Sequence, residues 1–207
     1  MARTTLIRLG AFSCVGSALL AVAALVGFVA VVGSDPIADG AGKAAFYVPA
    51  AAAFGSAALL GLGLVALYLR QEERFGALGA VGFAVALLGT IAAAGGQWTY
   101  VFVVPHFAPV VPDMINESTG SVLAGFVLSY ALLALGWILF GLATLRAGIF
   151  PRWAALLVVA GAAIAFLPLP SRTLVLTIAV AVLGLRLLRS AGAADHRAAN
   201  APPVFVR

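Results

Sequence analysis

The sequence predicts an all-α membrane protein, a polytopic bundle of about six transmembrane helices with both termini in the cytoplasm. Of its 207 residues, 64% are hydrophobic and 9% are charged, whereas a soluble domain is about 45–50% apolar and about 25% charged. The mean hydropathy is +1.15. Because each span needs about 20 residues to cross the hydrocarbon core of a bilayer, six spans with their loops take up nearly the whole chain.

The apolar runs are separated by charge, proline or glycine. They cover residues 6–32, 46–69, 77–104, 121–145, 153–167 and 173–188. The first run is longer than the apolar region of a signal peptide, so we interpret it as a retained helix. The third run is too long for a perpendicular span, and it either tilts or breaks at Gly95-Gly96. The fifth run ends at Leu167 before Pro168, which predicts a tight turn.

The distribution of arginine predicts the orientation in the membrane. With the N-terminus inside, only Lys43 and Arg172 fall outside, which is a strong positive-inside bias. Residues 34–45, 105–120 and 168–172 are then external. Residues 1–189 form the predicted transmembrane domain, and residues 190–207, rich in Ala, Asn and Pro, are predicted to be a disordered cytoplasmic tail. The predicted location is the inner membrane of a bacterial cell.

Several function classes are disfavoured by the same residues. The net charge of +5 comes from Lys and Arg at helix ends and not from a nucleic-acid-binding patch. Cys14 is the sole cysteine, and His106 and His196 are predicted on opposite sides of the membrane, so we expect no metal site within one chain. No phosphate-binding or dinucleotide-binding motif is present, and we expect no cofactor. The span centres hold almost no ionisable residues, which disfavours a proton pump or a charged ion pathway.

Polar and aromatic side chains gather at the predicted external ends of the helices. Acidic residues lie in the first two external loops, at Asp35, Asp39, Asp113 and Glu117. Side chains predicted to stand near them are Gln97, Trp98, Tyr100, Tyr130 and Trp137, with Arg172 coming from the last turn. In a compact bundle these loops converge on one cap, so we expect a pocket there with acidic groups and aromatic walls that opens toward the outer leaflet.

The predicted pocket has an enzymatic interpretation. An acid-initiated cyclase or isomerase for an isoprenoid dissolved in the bilayer needs a carboxylic acid kept protonated by apolar surroundings. It also needs aromatic faces that stabilise a carbocation. Asp113 and Glu117 would be the proton donors, with Asp35 and Asp39 as alternatives, and the aromatic residues would form the walls.

A second interpretation involves no catalysis. The aromatic residues would form an interfacial belt, the acids would be solvated loop residues, and the cap would bind a lipid headgroup or a protein partner. The chain would then be a membrane accessory or lipid-binding subunit, whose partner is another membrane protein or a second copy of itself. A small transporter component is a third interpretation, disfavoured by the absence of charge at mid-membrane.

Two resemblances bear on these interpretations. The sequence resembles a group of small multi-pass membrane proteins of actinobacteria, which implies fold and bacterial origin and no reaction. The matching segments are Leu69-Arg70 with Phe75-Gly76 and Gly82-Phe83, then GWILFG at 136–141, RAGIFPRW at 146–153 and LPLP at 167–170. In size, helix count and a membrane-facing site with acidic residues, the sequence also resembles the small integral-membrane terpene cyclases, which implies an isoprenoid substrate.

Overall fold

The computed structural model describes residues 2–117, 119–169 and 171–199, with side chains described for residues 3–117, 119–169 and 171–190. All regular secondary structure in these ranges is helical, which confirms the all-α prediction. Three helical stretches, Arg3–Val31, Ala44–Phe102 and Pro112–Ala147, are long and apolar enough to cross a membrane. Length and composition therefore indicate a membrane protein.

The helices follow the apolar runs, with short additional turns between them. They are α1 Ala2–Val31, α2 Ile37–Ala41, a 3₁₀ turn Ala44–Phe46, α3 Tyr47–Phe102, α4 Val104–Phe107, α5 Pro112–Asn116, α6 Gly120–Ala147, α7 Arg152–Phe166 and α8 Leu174–Ala199. The first, fourth, fifth and sixth runs each form one helix. The second and third runs are joined within α3.

Helix α3 folds back on itself at Gly76. Its 56 residues would extend about 84 Å as a straight helix, far beyond a hydrocarbon core of about 30 Å. Gly76 has φ 57° and ψ −161°, a backbone conformation that is essentially confined to glycine. We call residues 47–75 the first arm and residues 77–102 the second arm. The arms pack side by side, with the rings of Tyr68 and Phe83 stacked at 4.2 Å between centroids.

Two details of α3 differ from the sequence prediction. Residues 70–74 are helical rather than a separate loop, because Arg, Gln and Glu favour helix and Gly76 alone provides the reversal. The second arm continues through Gly95-Gly96 to Phe102 as a helix. Of the two alternatives given for the third run, the break at Gly95-Gly96 is therefore not found.

The C-terminal segment also differs from the prediction. Helix α8 continues to Ala199, whereas a disordered tail was predicted from residue 190. Alanine is the best helix former, and this segment contains several. The rest of the predicted tail, residues 200–207, lies outside the described residues.

The six long helical segments, namely α1, the two arms, α6, α7 and α8, form a closed ring. Glycine allows a close approach between neighbours at five of the six steps: Gly63 with Cys14, Gly136 with Ala86, Gly141 with Val159, Gly161 with Leu176, and Gly184 with Ala11. The two arms meet at ordinary packing distance, at Gly61 and Thr90. A Cβ atom at Gly136 would collide with the backbone of Ala86. Small residues at such contacts let helix backbones approach closely, which is how helices associate where lipid removes the hydrophobic driving force.

The two ends of the ring are built differently. At the Gly76 end, an ion pair of 2.7 Å joins Arg3 Nη2 to Glu72 Oε1, and Arg3 also donates to the carbonyl of Leu69 at 2.8 Å. At the opposite end, α2, α4, α5 and the 3₁₀ turn form a cap. The backbone N–H of Ala38 donates to Oδ1 of Asn116 at 3.0 Å, so the two long loops meet as predicted.

Candidate binding cavity

A cavity of about 420 Å³ lies inside the ring, at the cap end. It is lined by α1, both arms, α6 and α8, together with the link between α7 and α8. Its apolar walls include Ala24, Phe28, Ala57, Ala93, Phe126 and Leu133. Alanine on three neighbouring segments leaves the space that larger side chains would fill, so the cavity follows from small residues meeting in the ring.

Polar side chains form one edge of the cavity. We call Gln97, Tyr100, Tyr130 and Arg172 the polar cluster, and all four line the cavity. Nε2 of Gln97 donates to the hydroxyl oxygen of Tyr130 at 3.3 Å. The guanidinium carbon of Arg172 lies 3.7 Å from the centroid of the Tyr130 ring, a cation–π contact. These side chains come from the second arm, from α6 and from the link that follows α7.

Arg172 is the charged member of this cluster. It is half-buried and forms no ion pair with any described carboxylate. It follows Ser171, a non-glycine residue with a positive φ of 52°, and the backbone N–H of Leu174 donates to the carbonyl of Ser171 at 2.8 Å. This turn carries the guanidinium back over the ring of Tyr130.

Buried hydroxyl groups lie on the side of the cavity away from the cap. Thr90 lines the cavity, and its Oγ1 accepts a hydrogen bond of 3.0 Å from the indole nitrogen of Trp137. The hydroxyls of Ser17 and Ser56 each donate to the other residue's carbonyl at 2.8 Å. Each pair joins two neighbouring helices, so these four side chains are satisfied within the protein.

The structure brings together only some of the five polar and aromatic residues predicted to bind a substrate. Gln97, Tyr100 and Tyr130 line the cavity. Trp137 is fully buried behind Thr90 and does not line it. Trp98 is 46% exposed and packs on Phe102 with 5.1 Å between ring centroids, on the outer surface of the second arm.

The predicted catalytic acids lie elsewhere. Asp35, Asp39, Asp113 and Glu117 are all exposed on the cap. None of them lines the cavity, and none forms an ion pair with another described residue. The acidic groups and the aromatic walls that were expected in one pocket are therefore separate. Within the described ranges, no group of three or more His, Cys, Asp or Glu side chains is arranged to hold a metal ion.

Sequence reasoning placed Arg172 at the predicted cap but gave it no role in the site, and it did not single out Thr90 or Ser56. Arg172 had a usable signal, because it is one of two cations that the arginine pattern leaves at the predicted external end. Thr90 and Ser56 had none, since single hydroxyl residues in apolar helices do not reveal which face they occupy.

No protein-family model, curated protein or solved structure matches this chain.

Proposed function

We propose that this chain is a bacterial inner-membrane protein of six spans that binds an amphiphilic lipid or isoprenoid in the cavity. The observation that carries the proposal is a cavity with apolar walls and a polar cluster at one edge. Its volume of about 420 Å³ falls within the range of about 300–1,000 Å³ of small-molecule sites. This arrangement fits a molecule with an apolar chain and one polar head.

The proposed membrane arrangement has both termini in the cytoplasm and the cap outside. It is supported by the arginine residues at the Gly76 end and by the near absence of Lys and Arg at the cap end. Helix α7 has 15 residues and extends about 22 Å, which is shorter than a hydrocarbon core of about 30 Å. Local thinning of the bilayer would accommodate it at a modest cost.

The polar cluster is the part of the cavity that gives selectivity. A lipid chain that moves from the bilayer into the cavity exchanges one apolar environment for another, so its transfer gains little hydrophobic free energy. Hydrogen bonds and charge contacts to the head group gain more, because water competes less for them in a partly buried site. The head group therefore determines which ligand binds, whereas the chain only has to fit the apolar part of the cavity.

Acid-initiated cyclisation of an isoprenoid receives less support than binding. A proton donor would have to stand beside the chain in the cavity, and none of the described lining residues is Asp or Glu. The guanidinium of Arg172 also covers a face of Tyr130, and a second positive charge near that ring would be repelled. We therefore favour a lipid-binding or accessory membrane protein, which acts with a membrane-protein partner or a second copy of itself.

Fluorescence of Trp137 tests whether the cavity takes up an amphiphile. The probe protein carries Trp98→Phe and Trp153→Phe, which removes the two exposed indoles and leaves Trp137. Brominated stearyl chains quench tryptophan at short range, and we expect them to quench Trp137 from the cavity because the indole contacts Thr90 on its wall.

Two matched variants decide where the quencher sits. Ala57→Phe fills the cavity from the first arm and should abolish most of the quenching, whereas Ala51→Phe on the exposed surface of the same arm should leave it unchanged. Asp113→Asn and Glu117→Gln should also leave it unchanged. Equal quenching in the Ala57 and Ala51 variants would refute binding in the cavity.

A further inference from the structure

We infer that the ligand of the cavity carries an anionic head group, a carboxylate or a phosphate, that pairs with Arg172. This inference rests on the proposed function and specifies the chemical class of the ligand. Three observations support it: the guanidinium of Arg172 lacks an anionic partner among the described residues, neighbouring side chains offer hydrogen-bond donors, and an apolar cavity adjoins them.

The guanidinium of Arg172 has no anionic partner among the described residues. Its face lies on the ring of Tyr130 at 3.7 Å, and it donates no hydrogen bond to another described residue. A guanidinium that stacks by its face keeps the N–H groups along its edge, which match the two oxygens of a carboxylate or phosphate. A half-buried cation without an anion is costly, so binding of an anion there would relieve that cost.

The neighbouring polar groups add hydrogen-bond donors to the same edge of the cavity. The hydroxyl of Tyr130 accepts from Gln97, so its own proton remains for an acceptor in the cavity. Gln97 contributes a second amide N–H. Since no Asp or Glu is among the described lining residues, the charge within the cavity is positive, whereas the acids of this end of the bundle lie on the exposed surface of the cap.

A charged head and an apolar chain can occupy the cavity together. Arg172 lies in the link between α7 and α8, at one edge, and the apolar walls continue from there toward Leu133 and Leu60. A fatty-acid carboxylate and the phosphate of a long-chain phosphomonoester present the same oxyanion to the guanidinium. The experiment below distinguishes these two sources.

The test compares two probes with the same chain and different heads. The full chain carrying Trp98→Phe and Trp153→Phe is titrated in a neutral detergent with brominated stearic acid or brominated stearyl alcohol, at alkaline pH where the acid is ionised. We expect the acid to quench Trp137 at a concentration at least about tenfold lower than the alcohol, as for a charge-assisted hydrogen bond. Arg172→Gln should remove this preference while the alcohol still binds, and Arg172→Lys should retain part of it.

The control and the competitors make each outcome decisive. Arg152→Gln removes an exposed arginine at the other end of the bundle and should keep the full preference. Palmitate and hexadecyl phosphate are then added as competitors, and the stronger one identifies the carboxylate or the phosphate as the preferred head. Equal quenching by acid and alcohol, or a preference that survives Arg172→Gln, would overturn the anionic head and leave the proposed function standing. If neither probe quenches Trp137, the proposed function itself fails.

Discussion

At the scale of single residues, two pairs of buried polar side chains join neighbouring helices of the ring. Trp137 donates to Thr90, and Ser17 and Ser56 bond reciprocally. A buried donor without an acceptor costs about 1–3 kcal/mol, and the bilayer offers no water as a substitute. These pairs therefore fix which faces of α1, the two arms and α6 turn toward each other.

Thr90→Val tests the cross-helix bond at Trp137. Valine keeps the shape but leaves the indole N–H without an acceptor, so we expect the free energy of unfolding to fall by about 1–3 kcal/mol. Thr144→Val is the matched control. The hydroxyls of Thr90 and Thr144 are both buried, and each donates to the carbonyl four residues earlier, at 2.7 Å and 3.0 Å, but Thr144 has no described indole partner. Unfolding in detergent followed by near-ultraviolet circular dichroism measures both, and equal losses would contradict the role given to the Trp137 bond.

At the scale of helices, Gly76 decides the shape of α3. The preceding residues, Arg70 to Arg74, favour helix and continue the first arm into the turn. No atom lies within 4 Å of the position that a Cβ would take at Gly76. The requirement for glycine there is therefore conformational and not a matter of space.

Gly76→Ala should destabilise the fold through its backbone alone. At φ 57° and ψ −161°, a residue with a Cβ costs about 1–3 kcal/mol. Gly95→Ala is the control, because Gly95 is an exposed helical glycine with open space around it, and alanine there should add up to about 1 kcal/mol. Thermal unfolding in detergent should move in opposite directions for the two variants, and a neutral Gly76→Ala would show that the reversal tolerates another backbone conformation.

At the scale of the whole molecule, the ring separates two chemically different ends. The Gly76 end holds the Arg3 to Glu72 ion pair, and the cap end holds the cavity, Arg172 and the exposed acids. In the proposed orientation, the cavity faces the outer leaflet and the arginine-rich end faces the cytoplasm. Ligand would then enter from the outer half of the bilayer.

Single cysteines introduced at Asp39 and Glu73, each in a Cys14→Ala background, test this orientation. Asp39 is exposed on the cap, and the side chain of Glu73 is 84% exposed at the other end. In intact cells an impermeant maleimide should label the cysteine at 39 and spare the one at 73, and both should react after the cells are opened. The reverse pattern in intact cells would invert the orientation and with it the side from which ligand enters.

The sequence by itself determined the helical character and the positions of most helices. Apolar length and composition decide whether a segment can cross a bilayer, and both are local properties. Helix α7, which ends at Phe166 before the prolines, was predicted for this reason. The convergence of the two long loops was predicted from the compactness of a helix bundle. The end of the last helix was not predicted, because the polar residues of the last helix are compatible with either helix or loop.

Only the tertiary structure decided where the cavity lies and what faces it. Ala24, Ala57 and Ala93 are far apart in the chain, and they create a common space only because the ring places all three on the wall of one cavity. The four acids and Arg172 were all assigned to one end by their sequence positions, yet the acids lie on the surface and Arg172 stacks on Tyr130. Position along the chain gives the depth of a residue in the bundle, whereas helix rotation and loop packing decide whether its side chain points inward, and both depend on contacts between distant segments.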